Sequence, residues 1–457
     1  MLVATWIITF CLIIGIGVYA GTKIKSSNQW SGGDKTLGAW SLGCVFAAWQ
    51  IGGMAIVGAA QNGYNLGIAG SWYSIAGSFY FIFLAIFAKI IRENMPGQSV
   101  PEYLQAKYDT KTTRLYSYAW IIYGFLYIPI QLKTVSSIIQ IVLPGLNLSL
   151  AMLIGVTIAV VYTSFSGMRG ASAVGRVVCI GIYVLLIGFV AINLPKMGGY
   201  GGLLQKLPPQ YSNVFNMPTH RIIAWIFGGC ISTAVMQSVL QPLLSAKDPD
   251  AARKGSILGY VLAAPICILT ALCGMMSKAS GANLGNGTTA FAYAIRTYSN
   301  PLFAGIVFAF ATMIIAATMA TMMLATGTII TNVYKTQINP NASDEKILKI
   351  SKIITFVFAY LTLIPANIIP SNSLTNLFLT LQHVAAAPVS FSILAGLMWK
   401  KTTKQGAFWS MLCGMIVGVC WMLFGLTDML EAVYPVIIVT YSIGIIVSEM
   451  TYKKVEA

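Results

Sequence analysis

Thirteen apolar stretches, most of them separated by short loops, restrict this chain to one class of fold. They fall at roughly 2–20, 37–62, 66–91, 114–142, 147–164, 174–194, 220–244, 255–278, 301–334, 349–367, 374–399, 405–426 and 430–450. About 20 apolar residues cross the hydrocarbon core of a bilayer. At that depth every backbone polar group must find a partner within the protein. The reading predicts an all-α integral membrane protein, one transmembrane domain over residues 1–457. Composition agrees, with 57% of the residues hydrophobic and 9% charged, where soluble domains carry about 25% charged residues. The first stretch lacks a basic leader and a small-residue cleavage site, so it reads as a retained span rather than a signal peptide.

The formal net charge of +16 would suit a nucleic-acid binder, but its distribution argues against one. The loops alternate between basic and non-basic. By parity, 22 of the 28 basic residues fall on one side, 5 on the other, and Lys133 inside a span. This is the positive-inside pattern. It places the chain in a cell membrane as a multi-pass protein, the N-terminus outside and the C-terminus cytoplasmic. The eight cysteines lie in apolar segments without a CxxC pair and read as buried thiols. No Walker sequence, zinc-binding His/Glu pair or nucleophile elbow is present, so no enzyme activity is expected.

Val45–Gly63 is the span on which the others are organised. It carries Gln50 and the Gly52–Gly53 pair near its middle. Two readings are open. Glycines at mid-membrane let a helix unwind and free its backbone groups, as in the broken helices of transporters. They also allow tight packing against a neighbouring helix.

Five further segments carry a family likeness. GGDKTLGAWSLGCVFAA (32–48) leads into this span, and MPGQSVPEYLQAKYD (95–109) is similar to a T-x-PEYL-x-x-RY segment. YTSFSGMRGASAV (162–174), QSVLQPLLSAKDPDAARKGS (237–256) and GLMWKKTTKQGAF (396–408) follow in matching order. Together they resemble the sodium:solute symporter family. The resemblance implies 13 transmembrane helices with a five-plus-five inverted repeat, the halves at 37–194 and 220–399. Two C-terminal helices and a short tail would fill 400–457. The seventh span, AWIFGGCISTAVMQ (224–237), would then mirror the second, with its break at Gly228–Gly229.

The resemblance also implies a sodium site formed by carbonyls of Ala48 and Ile51 with two hydroxyls on the ninth span. Those hydroxyl positions fall on Ala316 and Ala317, and an acidic position of the sixth span falls on Val174–Gly175. Thr318 or Thr321 substitutes if the register slips. Sodium coupling through this site is therefore expected to be weak or absent, which leaves Na⁺ or H⁺ open as the coupling ion. No other cofactor is expected.

The solute is expected between Gln50–Met54 and Gly228–Ser232, Gly53 and Gly229 included, with Gln131 and Gln382 contributing. Trp49, Trp72, Tyr73 and Gln237 are further pocket candidates, although aromatic residues in such helices also simply pack. His383 either serves the solute or a proton, or is a hydrogen-bonded structural histidine. Lys133 either faces the cavity and draws a carboxylate, or snorkels to the outer interface. The external stretches 195–219 and 279–300 are gates or plain connections.

The leading function is alternating-access transport of a small organic solute, carboxylate-bearing by the Lys133 reading, across the lipid bilayer. A transporter-like sensor is the alternative of another class, and the short tail argues against it. Thirteen spans put the termini on opposite sides. Cysteines placed near residues 1 and 452 should thus react with an impermeant thiol reagent from opposite faces, and reaction from one face would exclude the odd count.

Overall fold

The apolar runs form helices throughout the computed structural model, which describes residues 1–22, 35–95, 97, 99–369 and 374–452. The side chains of 165–169, 171, 376 and 428 are outside that description. So are Lys23, Lys25, Lys453 and Lys454, the start of the 32–48 segment, and positions 96 and 98 of the 95–109 segment. Among the described residues there is no strand, only one backbone bridge between Leu37 and Ala246.

The helices run α1 Leu2–Gly21, α2 Ala39–Gln50, α3 Ala59–Leu66, α4 Trp72–Gly77, α5 Tyr80–Asn94, α6 Val100–Lys107, α7 Thr110–Val142 and α8 Leu148–Asn193. Then come α9 Gly199–Gln205, α10 Thr219–Ser232, α11 Gln237–Leu244, α12 Pro249–Ala263, α13 Ile266–Ala279 and α14 Ala290–Tyr298. The last are α15 Pro301–Val333, α16 Asp344–Leu361, α17 Leu363–Ile368, α18 Leu374–Ala386, α19 Lys404–Leu423 and α20 Val433–Thr451. Loop residues start many of them. The carboxylate or amide oxygens of Asp109, Asn147, Asp248 and Asn300 accept from backbone amides of the first turns of α7, α8, α12 and α15, at 2.7–2.8 Å.

Among the described residues, ten helices are long and apolar enough to cross a membrane, or eleven if the bent pair 219–244 is one span. The difference from thirteen has local causes. The break after Gln50 leaves α2 with 12 residues, too few to cross alone. Backbone from Met54 to Asn94 forms one apolar stretch of 41 residues. The loop expected at 165–173 is helical, so the stretches at 147–164 and 174–194 join within α8.

Glycines bring the helices together. Between lipid-facing helices there is no hydrophobic drive, so close contact of small residues carries the association. A Cβ at Gly43 would sit 2.6 Å from Leu258, and one at Gly259 would sit 2.9 Å from Phe46, which shows how tightly α2 lies on α12. Farther along, Gly63 meets the Ala271 backbone and Gly274 the Ala60 carbonyl, binding α3 to α13. The path of α2 and α3 is thus fixed on both sides of its break by α12 and α13. A second group forms from α1, α8 and α15, where the Trp6 indole N–H donates to Thr312 Oγ1 at 3.2 Å.

The two ends are tied differently. At one end the Leu37 amide donates to the Ser245 carbonyl (3.0 Å), the Lys247 amide to the Leu37 carbonyl (2.9 Å), and Arg92 Nη2 to the Ala246 carbonyl (3.0 Å). At the other, both long connections close on the end of α3. The Tyr64 hydroxyl donates to the Ala282 carbonyl and the Tyr211 hydroxyl to that of Tyr64, each at 2.7 Å.

Because backbone cannot yield as a side-chain tip does, Gly63→Ala should destabilise the protein by about 1–3 kcal/mol. Gly15→Ala, with nothing within 4 Å of the new methyl, should be neutral. Thermal unfolding of the two purified variants side by side checks the contrast, and equal midpoints would contradict the packing.

Candidate functional site: two broken helices around a central cavity

The chain leaves the helix at Ile51, whose φ of −81° and ψ of 49° lie outside the helical region. A π-helical turn Met54–Gly58 then leads into α3. The interruption frees backbone groups that no water can reach. The carbonyls of Ala48 and Trp49 meet Thr318 Oγ1 of α15 at 3.1 and 3.3 Å, and the Ile314 carbonyl lies 3.1 Å from the same oxygen. That hydroxyl donates to one of the three at a time, so three carbonyl oxygens converge on it. The Gly53 amide donates to Gln131 Oε1 of α7 at 2.9 Å, and Gln131 Nε2 donates to the Tyr127 hydroxyl at 3.1 Å. Gly53 has to be glycine here, since a Cβ would overlap Thr134 Oγ1.

The second break lies elsewhere than expected. Gly228 and Gly229 are helical within α10. The interruption comes at the 3₁₀ turn Thr233–Val235 and extended Met236, and α10 and α11 meet there at a 60° bend. The glycine pair serves close packing instead. Gly228 lies against the His383 ring, and a Cβ at Gly229 would be 3.4 Å from the Gly77 carbonyl.

Between the two breaks lies a small cavity of ≈ 20 Å³, room for about one water molecule. Trp49 and Gln50 of α2, Tyr73 and Gly77 of α4, Trp225, Gly229 and Thr233 at the second break, and Phe378, Leu379 and Gln382 of α18 form its wall. Gln50 Oε1 accepts from the Tyr80 hydroxyl at 3.2 Å, and Gln382 Nε2 donates to Thr233 Oγ1. The indole N–H groups of Trp49 and Trp225 are buried without a partner among the described groups. The wall contains no Asp, Glu, Lys, Arg or His.

Of the sequence candidates, Trp49, Gln50, Tyr73, Gly229 and Gln382 meet at this wall. Gly53 and Gln131 join at the first break, as do Ala48 and Thr318. Ile51 is the residue at which the helix opens. The remaining candidates sit elsewhere. Trp72 donates to the Val214 carbonyl at 2.7 Å near the outer loops. Gln237 accepts from the Val100 amide at 2.7 Å and ties α11 to α6. His383 is fully buried behind Gly228. Lys133 is buried on α7, but it is not part of the wall. Ala316 and Ala317 offer methyl groups only, whereas Thr318 reaches the freed carbonyls. Gly175 faces α2, its Cβ position 3.4 Å from the Cys44 carbonyl and 3.6 Å from Ala48 Cβ, so an acidic side chain there would point at this break.

Sequence reasoning missed Trp225, Thr233 and Phe378. Their signal was helical spacing. Trp225, Gly229 and Thr233 recur every four residues, as do Phe378 and Gln382, and each set marks one helix face.

The sequence model of the sodium:solute symporter family matches residues 31–414. The chain belongs to that family. It is 25% identical to the sodium/glucose cotransporter of Vibrio parahaemolyticus, covering 87% of this chain and 80% of the relative. It is 22% identical to sodium/glucose cotransporter 4 of Danio rerio, covering 91% and 70%. Among solved structures, a Na⁺-coupled sialic acid symporter in a substrate-bound outward-open state superposes with a TM-score of 0.80 at 15% identity, covering 100% of this chain and 99% of that one. A nucleobase-cation-symport-1 family transporter in a closed conformation gives 0.62 at 14% identity, covering 91% and 94%. At such identities the structural likeness speaks for the fold alone. As a sodium:solute symporter family member, the protein is a multi-pass secondary active symporter with a small solute and Na⁺ as the coupling ion its family supports.

Gln131→Leu would leave the Gly53 amide buried without an acceptor, a loss of about 1–3 kcal/mol. A lowered thermal midpoint of the purified variant is the expected outcome, and an unchanged one would mean that Gly53 has another partner.

Proposed function

We propose that this chain carries a small organic solute together with Na⁺ by alternating access, the solute held between the α2 break and the α10–α11 break. The observation that carries the reading is the pair of interrupted helices facing one cavity, the first with backbone groups met by Thr318 and Gln131 and the second with its Thr233 hydroxyl met by Gln382. Interrupted spans in corresponding places are the usual construction of a midplane transport site. Counting each interrupted helix as one span, and α8 as two, gives thirteen spans in the proposed five-plus-five inverted repeat. The loop charges then put the N-terminus outside and the C-terminus in the cytoplasm of a cell membrane.

For the ion, the convergence of the Ala48, Trp49 and Ile314 carbonyls on Thr318 favours a site built mainly from carbonyl oxygens plus one hydroxyl. Carbonyl and hydroxyl oxygens are of the type Na⁺ takes, which supports the reading, while Ala317 and Gly175 add none. This argues for weaker sodium binding than a site with two hydroxyls and an acid. A sodium-independent symporter is the second reading, and the same two residues favour it.

For the solute, the wall of Trp49, Tyr73, Trp225 and Phe378 suits a compact body with an apolar face. The two unpartnered indole N–H groups suit acceptor oxygens. A carboxylate supplies these, and the N-terminal ends of the half-helices that restart after each break favour negative charge. Lys133, outside the wall, would add positive potential rather than a direct contact.

The test is uptake into proteoliposomes with an inward Na⁺ gradient, using amino acids and small monocarboxylates against sugars and polyols. We expect a carboxylate-bearing compound to be taken up. Thr318→Val should raise the sodium concentration needed by about tenfold or more, as for loss of a hydrogen-bonding group to a charge. Thr318→Ser should stay near wild type. Equal uptake in Na⁺ and choline media would remove sodium from the mechanism, and uptake of sugars alone would remove the carboxylate.

A further inference from the structure

An aromatic ladder descends one face of α7 from the central cavity. The Tyr127 ring lies 5.3 Å from that of Phe378, a wall residue. Below it the rings of Tyr123, Trp120 and Tyr116 follow at 5.6, 5.4 and 6.0 Å. Steps of three and four residues keep all four on one side of the helix. Each is at most 3% exposed, while Tyr118 and Ile122 on another face of α7 are 50% and 60% exposed.

Beside its lower end lies a second, larger cavity of ≈ 580 Å³, whose lining takes in neighbours of Tyr116 on α7 and none of the ladder rings. Thr113 and Ser117, flanking Tyr116 on α7, line it together with Arg114 and Lys335. Neither cation has an ion-pair partner among the described residues. The Glu102 carboxylate also lines the space, so the basic groups outnumber the acidic one there.

Three groups on the ladder are unsatisfied. The hydroxyls of Tyr116 and Tyr123 and the Trp120 indole N–H are buried and have no hydrogen-bond partner among the described groups. Buried donors in proteins are nearly always paired, so an exception calls for a reason. Aromatic packing alone would be served as well by Phe at position 123, which makes the same ring contacts without an orphaned oxygen.

We propose that the α7 ladder is the cytoplasmic half of the solute's route, closed here by ring-to-ring packing. When it opens, Tyr123 and Trp120 donate to water and to acceptor oxygens of the passing solute. The route leads from the central cavity to the basic cavity, where Arg114 and Lys335 meet an anionic group on its way out. The inference rests on the transport reading and adds the path to it.

Cysteine labelling tests it without knowledge of the solute. Tyr123→Cys, Trp120→Cys, Ile122→Cys and Gln105→Cys are made in a background without the eight native cysteines. Inside-out vesicles are then treated with the impermeant cation trimethylammonium-ethyl methanethiosulfonate. Gln105→Cys, in the basic cavity, should label, as should Tyr123→Cys and Trp120→Cys, and Ile122→Cys should not. Absence of labelling at both ladder positions while Gln105→Cys reacts would overturn the route. Tyr123→Phe in the otherwise native protein gives a second readout. Its thermal midpoint should hold or rise, because the lost hydroxyl has no partner, and a fall of several degrees would overturn the proposal. Ladder labelling without uptake of any solute would refute the transport reading and leave the opening of the path standing. Uptake without ladder labelling would do the reverse.

Discussion

A helix interrupted at membrane depth exposes amides and carbonyls that no solvent reaches, and each must be met by another part of the chain. At Ile51–Gly53 that obligation joins three helices. Thr318 of α15 lies against the carbonyls of Ala48 and Trp49, and Gln131 of α7 accepts from the Gly53 amide. These polar contacts fix the height at which α7 and α15 sit beside α2, which apolar packing alone would leave free to slide. The second break recruits α18 through Gln382 on Thr233, and α6 through Gln237 on the Val100 amide. Helices far apart in sequence are thereby positioned around one cavity.

The same arrangement needs helices that approach closely. In the membrane, small residues supply that closeness, since apolar side chains gain little by leaving lipid for one another. Gly43, Gly63, Gly259 and Gly274 hold α2 and α3 to α12 and α13 on both sides of the first break. A rigid partner alongside an interrupted helix keeps its two halves in register across the interruption. Gly228 and Gly229 belong with this packing set and not with the breaks.

The composition of the site separates the fold from its use. The two cotransporters compared are 22% and 25% identical to this chain, a range in which architecture persists and individual ligands need not. Here the cavity wall is aromatic and amide-bearing without a charged side chain, and the carbonyl cluster has a single hydroxyl. In the proposed site a solute and an ion would meet those particular groups, whichever compounds relatives carry.

Much of this was legible in the sequence because hydropathy and loop charge act locally. A run of apolar residues must be helical in lipid, and the Gly52–Gly53 pair beside Gln50 stood out because polar and flexible residues are costly in such a run. A glycine pair, however, signals either unwinding or contact, and only the neighbouring helix decides. Beside the Gly77 carbonyl and the His383 ring, Gly228–Gly229 stays helical, and the chain opens at Thr233 instead. Lys133 shows the same limit. Its charge is conspicuous in the sequence, but each residue turns a helix by about 100°, so Gln131 faces the break while Lys133, two positions on, lies outside the cavity wall. The register of α15 was equally undecided until Thr318, and not Ala316 or Ala317, met the freed carbonyls. By itself the sequence determined a helical membrane protein and its family, since these follow from local composition and motif order. The tertiary structure decided which side chains converge, because convergence depends on how helices rotate and lean on one another across hundreds of residues.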